Sequence, residues 1–195
     1  MVLGGVVMAG CSNGDASATA LRASPVAPLP VEDPTWTTRF DPQFRKYSKR
    51  LFGVGFHWRW FKAQGIAESG LRPDAASGAG ARGIMQLLPA TYQEVVGPNG
   101  AWLPDIDEPR WNIAAGLQYD RYLYDLWANV DAGRLDRLAF VFASYNGGRR
   151  RTLQAQARCQ AEDCDEWQHV AAYAPTESRN YVAKIMRLMG IDPPS

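Results

Sequence analysis

The chain has 195 residues, enough for one globular domain with a sizeable core and an additional tail. Hydrophobic residues make up 46% of it and charged residues 21%, an ordinary composition for a globular protein. The formal net charge of +1 gives no electrostatic reason to expect a nucleic-acid partner.

The first eleven residues combine an apolar run with a cysteine. Val2 to Met8 form the run, and Ala9-Gly10 place two small residues directly before Cys11, an arrangement that resembles the lipobox of bacterial lipoproteins. The run is too short to span a bilayer. We expect residues 1–11 to be a lipoprotein signal and Cys11 to be lipidated. A chance apolar start stays open, because no positive charge precedes the run.

Residues 12–38 form the second segment, which is rich in Ala, Ser and Pro. Four prolines, Pro25, Pro28, Pro30 and Pro34, interrupt it, and it has neither a helical nor a strand period. Such composition is typical of a long disordered tail. We expect it to tether a folded domain over residues 39–195.

The rest of the chain predicts a mainly α domain of about seven or more helices. Apolar residues recur at spacings of three or four, and the alternation that a sheet requires is scarce. Gly70 is expected to end the second helix and Thr176 to cap the last one. The predicted helices span Phe40–Phe52, Phe56–Ser69, Pro89–Val96, Asn112–Trp127, Arg134–Ser144 and Arg149–Arg158, with a last helix from Thr176.

The chain has three cysteines, an odd number. If Cys11 carries lipid, Cys159 and Cys164 remain, and we expect them to form a local disulfide in an oxidising compartment. No metal site or cofactor is expected, because no histidine or second cysteine pair lies close to them in sequence.

Four short blocks follow one another in the predicted domain: Glu68-Ser69, Gly83-Ile84-Met85-Gln86-Leu87, Ser144-Tyr145-Asn146-Gly147-Gly148, and Glu177-Ser178-Arg179-Asn180-Tyr181-Val182. In this order they resemble the soluble lytic transglycosylase (SLT) family, lysozyme-like enzymes that cleave bacterial peptidoglycan. The resemblance covers roughly residues 50 to 190. It implies a goose-type lysozyme-like helical fold.

Glu68 is the residue most suited to chemistry. It lies near the C-terminal end of a predicted helix, where the negative pole of the helix dipole disfavours a carboxylate. Burial among Trp58, Phe61 and Ile66 would raise its pKa further. A carboxyl group kept protonated near neutral pH can donate a proton to a departing glycosidic oxygen. In the family the glutamate at this place is the catalytic acid.

The resemblance also implies a set of substrate-binding residues around Glu68. Ser69 would support Glu68 by hydrogen bonding, and Tyr181 would point its hydroxyl toward Glu68 or the substrate. Met85 is equally compatible with a core position, and Asn146 with a plain helix end. The expected substrate-binding set is Ser69, Met85, Gln86, Tyr145, Asn146 and Tyr181.

Most glycosidases need a second carboxyl group. Asp74 is the nearest candidate in sequence, but an aspartate beside a proline more often forms a turn. The lack of a convincing second carboxyl group favours the family's non-hydrolytic route. In that route the substrate's acetamido oxygen and 6-hydroxyl act at the anomeric carbon and leave a 1,6-anhydro-N-acetylmuramyl end.

The expected partner is therefore the peptidoglycan glycan strand. We expect the protein to be a monomer in the bacterial periplasm, anchored to the membrane through lipid at Cys11. Two alternatives stay open. One is a true hydrolase of muramidase or chitinase type, and the other is a non-catalytic wall-binding module.

Overall fold

The computed structural model describes residues 34, 36–97, 105–130 and 133–194. Cys11 and most of the predicted tether lie outside the described residues. Within them the chain is helical, with two isolated bridges, Ala76 to Arg82 and Arg82 to Leu87, and no strand. The predicted mainly α class is confirmed.

Eight α-helices follow one another in the described residues, and a short 3₁₀ turn over Ala171–Tyr173 separates the last two. The α-helices are α1 (Asp41–Phe52), α2 (Arg59–Ser69), α3 (Pro89–Val96), α4 (Pro109–Leu126), α5 (Arg134–Gly147), α6 (Arg149–Arg158), α7 (Trp167–Val170) and α8 (Thr176–Leu188).

Several helix ends differ from the prediction by a few residues. α4 begins at Pro109, since proline is tolerated in a first turn. Thr176 is the first residue of α8 rather than its cap, a position that Pro175 occupies without a side-chain hydrogen bond. α7 was not predicted, because its four residues are too few to show a helical period.

α5 is the central helix of the core and packs against α4, α6, α7 and α8. Its middle residues, Phe140, Val141 and Phe142, are almost wholly buried. Burying each such side chain contributes about 1.5–3 kcal/mol. This core holds α8 beside α2, so the last helix of the chain contacts the second.

Lys62 anchors the N-terminal end of the described domain to α2. Its side chain is only 2% exposed, and its Nζ donates to Asp41 Oδ1 at 2.5 Å and to the Thr37 carbonyl at 2.6 Å. The Trp36 ring lies 5.1 Å from the same ammonium group. A buried cation needs such partners, because an unpaired one would be strongly disfavoured.

The loop between α2 and α3 is held against α4 by one asparagine. Asn112 is fully buried; its Oδ1 accepts from the Met85 amide at 2.8 Å, and its Nδ2 donates to the Arg82 carbonyl at 2.9 Å. Gly83 passes over this amide with a φ of +75°, and a Cβ there would lie 2.5 Å from Asn112 Nδ2. Glycine is therefore required for both conformation and space.

Cys159 and Cys164 are joined by a disulfide just after α6, with their Cα atoms 5.8 Å apart. The loop that it closes is short, so the stabilisation expected from chain entropy is about 2 kcal/mol. Of the helices described, none has the length and apolar character needed to cross a membrane.

We predict that Gly83→Ala lowers the free energy of unfolding by about 2–4 kcal/mol, combining the left-handed conformation with overpacking against Asn112. Gly80 is the matched control, because its φ of +84° is also positive but no atom lies within 4 Å of an added Cβ. Gly80→Ala should lose only about 1 kcal/mol. Urea denaturation measures both, and equal losses would show that Asn112 does not restrict this position.

Candidate active site

Glu68 is the next-to-last residue of α2, and Gly70 ends the helix in the left-handed conformation with a φ of 65°. The Glu68 side chain is partly buried. Its Oε1 accepts a hydrogen bond from the Tyr181 hydroxyl at 2.5 Å. The end of α2 and the first turns of α8 therefore meet at this carboxyl group.

The pKa of Glu68 is raised to about 7, chiefly because burial disfavours the charged form. The hydrogen bond from Tyr181 and the nearby positive charge of Lys184 act in the opposite direction, but they offset only part of the effect. Glu68 can therefore be either an acid or a base near neutral pH.

A close contact between α5 and α8 positions Tyr181. A Cβ at Gly147 would lie 2.2 Å from Ser178 Oγ, so glycine permits this approach. Ser178 Oγ donates to Asn146 Oδ1 at 3.1 Å. Because Tyr181 lies one turn after Ser178, this contact fixes where its hydroxyl reaches α2. Asn146 thus has a structural partner in addition to its expected substrate role.

Two other expected site residues bind the backbone of the loop after α2. Ser69 is buried and donates to the Ile84 carbonyl at 2.9 Å. The expected hydrogen bond from Ser69 to Glu68 is not formed, because the neighbouring positions of a helix point in different directions. The Tyr145 hydroxyl donates to the Met85 carbonyl at 2.8 Å. Both side chains thus hold the loop beside Glu68.

The side chains of Met85 and Gln86 also differ from expectation. Met85 is fully buried, and it packs so closely on Gly116 that a Cβ there would lie 2.7 Å from its Cγ. It therefore belongs to the core and cannot face a sugar in this conformation. Gln86 Nε2 donates to the carbonyls of Ala75 and Gly83 at 3.1 Å and 2.9 Å. Its amide nitrogen is thus committed to the loop.

Two further carboxyl groups bear on the site. Asp74 is exposed and lines a surface depression with Arg82 and Asp107, whose lining does not include Glu68. Asp120 on α4 is fully buried, and it influences the pKa of Glu68's neighbours Tyr145 and Tyr181. Asp120 therefore lies close to the site, but its side chain is not accessible to solvent.

Sequence reasoning missed Gln64, Asn112, Asp120 and Lys184. Gln64 precedes Glu68 by one turn and hydrogen-bonds Asp120 at 3.0 Å, and Lys184 donates to the Ala67 carbonyl at 3.0 Å. A polar residue inside an apolar helix face was the available signal for Asp120. The described residues contain no group of three or more His, Cys, Asp or Glu side chains arranged to hold a metal ion.

Comparison with known proteins points to one family. The family model described as transglycosylase SLT domain matches residues 55–168, more than half of the chain. Membrane-bound lytic murein transglycosylase F from Maricaulis maris is 32% identical over 152 residues, which cover 74% of this chain and 32% of that protein. The same-named protein from Desulfosudis oleivorans is 32% identical over 148 residues, covering 74% and 30%.

Solved structures show the same fold. An inactive Glu-to-Gln mutant of lytic transglycosylase Slt from Pseudomonas aeruginosa superposes with a TM-score of 0.63 at 25% identity, covering 78% of this chain and 23% of that one. The 70 kDa soluble lytic transglycosylase from Escherichia coli gives 0.59 at 24% identity, covering 80% and 25%. The chain thus spans about a third of the curated relatives and a quarter of these structures.

We predict that Tyr181→Phe raises the pKa of Glu68 above its value of about 7, because the hydroxyl that stabilises the carboxylate is lost while the burial remains. A ¹³C NMR titration of the Glu68 side-chain carboxyl carbon measures this. Tyr173→Phe, at an exposed position, is the matched control and should leave the titration unchanged. An unchanged pKa in Tyr181→Phe would mean that the hydrogen bond does not act on Glu68 in solution.

Proposed function

Because the chain belongs to the transglycosylase SLT domain family, we propose that it is a lytic transglycosylase. Its substrate is peptidoglycan, and it cleaves the β-1,4 bond between N-acetylmuramic acid and N-acetylglucosamine without water. The observation that carries the proposal is Glu68, a partly exposed carboxyl group whose pKa is raised to about 7 and whose Oε1 is held by Tyr181.

Glu68 would act twice in one turnover. In the first step its carboxylic acid gives a proton to the glycosidic oxygen, the bond from that oxygen to the anomeric carbon breaks, and the substrate's acetamido oxygen bonds to that carbon. In the second step the Glu68 carboxylate takes the proton of the 6-hydroxyl as its oxygen attacks the same carbon and displaces the acetamido oxygen. Glu68 ends protonated, and no water is consumed.

The raised pKa suits both steps, because proton transfer is most efficient for a group that titrates near the working pH. Tyr181 occupies Oε1 of Glu68, which favours Oε2 as the oxygen that carries the transferable proton. Since the first step needs the acid form, turnover should fall as the pH rises through about 7.

A two-carboxylate hydrolase finds less support. Its second carboxyl group must reach the substrate within about 5–9.5 Å of the first. Asp120 is 0% exposed, so it cannot contact a sugar. Asp74 is exposed, but it shares its depression with the ion pair between Arg82 and Asp107 and not with Glu68.

The solved Slt structure from Pseudomonas aeruginosa adds support, because its Glu-to-Gln exchange is described as inactive. The relatives named membrane-bound lytic murein transglycosylase F support murein, another word for peptidoglycan, as the substrate. Among the expected substrate-binding residues, Ser69 and Tyr145 bind carbonyls of the loop after α2. Substrate contacts by Asn146 and Gln86 remain part of the proposal.

We predict that Glu68→Gln lowers turnover on purified sacculi by at least ~100-fold, since a general acid typically contributes 100- to 10,000-fold. The glutamine keeps the shape and accepts from Tyr181, so the melting temperature should be retained. Asp74→Asn is the matched control and should keep most activity. Loss of turnover in Asp74→Asn would contradict the single-carboxyl mechanism.

Mass spectrometry of the released muropeptides tests the reaction itself. Transglycosylation gives an anhydro end, while hydrolysis gives a reducing end that is heavier by one water. Release of anhydro products by the wild type supports the proposal. Reducing products would indicate a hydrolase, and binding to sacculi without any release would indicate a wall-binding module.

We also propose that the protein is a periplasmic lipoprotein, attached through Cys11 and extended by the Ala/Ser/Pro-rich tether that follows it. The disulfide between Cys159 and Cys164 is consistent with an oxidising compartment. The full-length gene product, expressed from its own start, should appear in the membrane fraction, and Cys11→Ser should release it. Recovery of the unmodified wild type in the soluble periplasmic fraction would refute the anchor.

A further inference from the structure

Asp120 is a buried titratable group for which the proposed reaction has no use. It lies on α4 and is 0% exposed. It receives a hydrogen bond from Gln64, whose Nε2 donates to Asp120 Oδ1 at 3.0 Å, and Gln64 is itself 0% exposed. Gln64 lies on α2 one turn before Glu68, so this contact joins α4 directly to the helix that carries the proposed catalytic acid.

The other oxygen of each group has no partner. Asp120 Oδ2 and Gln64 Oε1 are both buried and make no hydrogen bond with protein. An ionised carboxylate offers only acceptors, so it would leave both oxygens unsatisfied in the interior. A proton on Asp120 Oδ2 makes this oxygen a donor. It can then donate to Gln64 Oε1, which belongs to the same amide whose Nε2 already donates to Asp120 Oδ1. A carboxylic acid and an amide can thus complete a ring of two hydrogen bonds.

The charges around Asp120 favour the same state. The titratable groups that face it are Glu68 on α2, Tyr119 on α4, Tyr145 on α5 and Tyr181 on α8. None of them is a cation, and no described ion pair includes Asp120. Burial raises its pKa well above the ordinary value, the hydrogen bond from Gln64 lowers it less, and Glu68 raises it again.

We propose that Asp120 is a neutral carboxylic acid that closes a two-hydrogen-bond ring with Gln64, and that it is a positioning residue for Glu68. The ring fixes α2 against α4 one turn before the catalytic carboxyl group. It does so without placing a second negative charge beside Glu68. An ionised Asp120 would hold Glu68 in its acid form and hinder the first proton transfer, because that step leaves a second carboxylate beside it.

This inference rests on the proposed function only in its kinetic part; the protonation state can be measured without any substrate. In a ¹³C NMR titration of aspartate-labelled protein, the Asp120 carboxyl signal is identified by its loss in Asp120→Asn. It should stay in the acid form at pH values well above the ordinary aspartate pKa of about 3.9. Titration near that ordinary value would overturn the proposal.

Stability gives a second test, and its sign follows from proton linkage. Above about pH 3.9 the unfolded chain releases the proton of Asp120 while the folded chain keeps it, so the wild type loses stability as the pH rises toward the folded pKa. Asp120→Asn keeps the two hydrogen bonds and has no proton to release. The ratio of the wild-type unfolding constant to that of Asp120→Asn should therefore rise about tenfold per pH unit in this range.

A ratio that does not change with pH would show that Asp120 is ionised in the folded chain. Because both measurements are independent of turnover, they separate the failure of this inference from the failure of the proposed function.

The positioning role is tested by loss and rescue. Asp120→Leu has similar size but leaves the Gln64 amide without a partner, and turnover should fall on the order of tenfold to 100-fold, as expected for a misplacement of about 1 Å. Asp120→Asn should restore it, with the alkaline limb of the pH profile at the wild-type position. If Asp120→Asn instead abolishes turnover or shifts that limb to lower pH, Asp120 acts as a charged group and the proposal is wrong. Should Asp120→Leu fail to fold, the pH profile of Asp120→Asn still decides.

Discussion

The hydrogen bond from Tyr181 to Glu68 is the interaction on which the site depends, and it joins residues 113 positions apart. It forms only when α8 lies beside the end of α2, and α5 holds α8 in this place by packing along it. The contact of Gly147 with Ser178 sets the depth of that packing. A carboxyl group that is both buried and hydrogen-bonded to a neutral donor can change its protonation state near neutral pH.

A single tyrosine and the burial of one carboxyl group thus act against each other at Glu68. Burial favours the acid, while Tyr181 and Lys184 favour the carboxylate. If Asp120 is neutral, as we propose, the balance at Glu68 is set by these three influences alone, without a like charge behind it. The helix carrying Glu68 is then held on one side by an uncharged pair, Gln64 with Asp120, and on the other by an uncharged hydroxyl.

The fold was largely predictable because each helix leaves a local pattern of apolar residues in the sequence. The period of apolar residues located α1, α4, α5 and α8 to within a few positions, and Gly70 marked the end of α2. The roles of individual side chains were less predictable, since they depend on partners far away in sequence. Ser69 and Tyr145 bind loop carbonyls that lie 15 and 60 positions away, and Asp120 meets Gln64 across 56. No local sequence pattern encodes contacts over such separations. A residue of a family motif can therefore hold a loop backbone in place rather than bind the substrate.

The anchor at Lys62 has a mechanical consequence. Tension applied to the chain ahead of the domain arrives at Trp36 and Thr37, and their contacts with Lys62 pass it to α2. The ion pair with Asp41 spreads the same load to the start of α1. The first point to bear a pull is therefore six residues from Glu68, on the same helix. A domain tethered at this end would resist unfolding from its N-terminal side, because the buried Lys62 ammonium group bonds both Thr37 and Asp41.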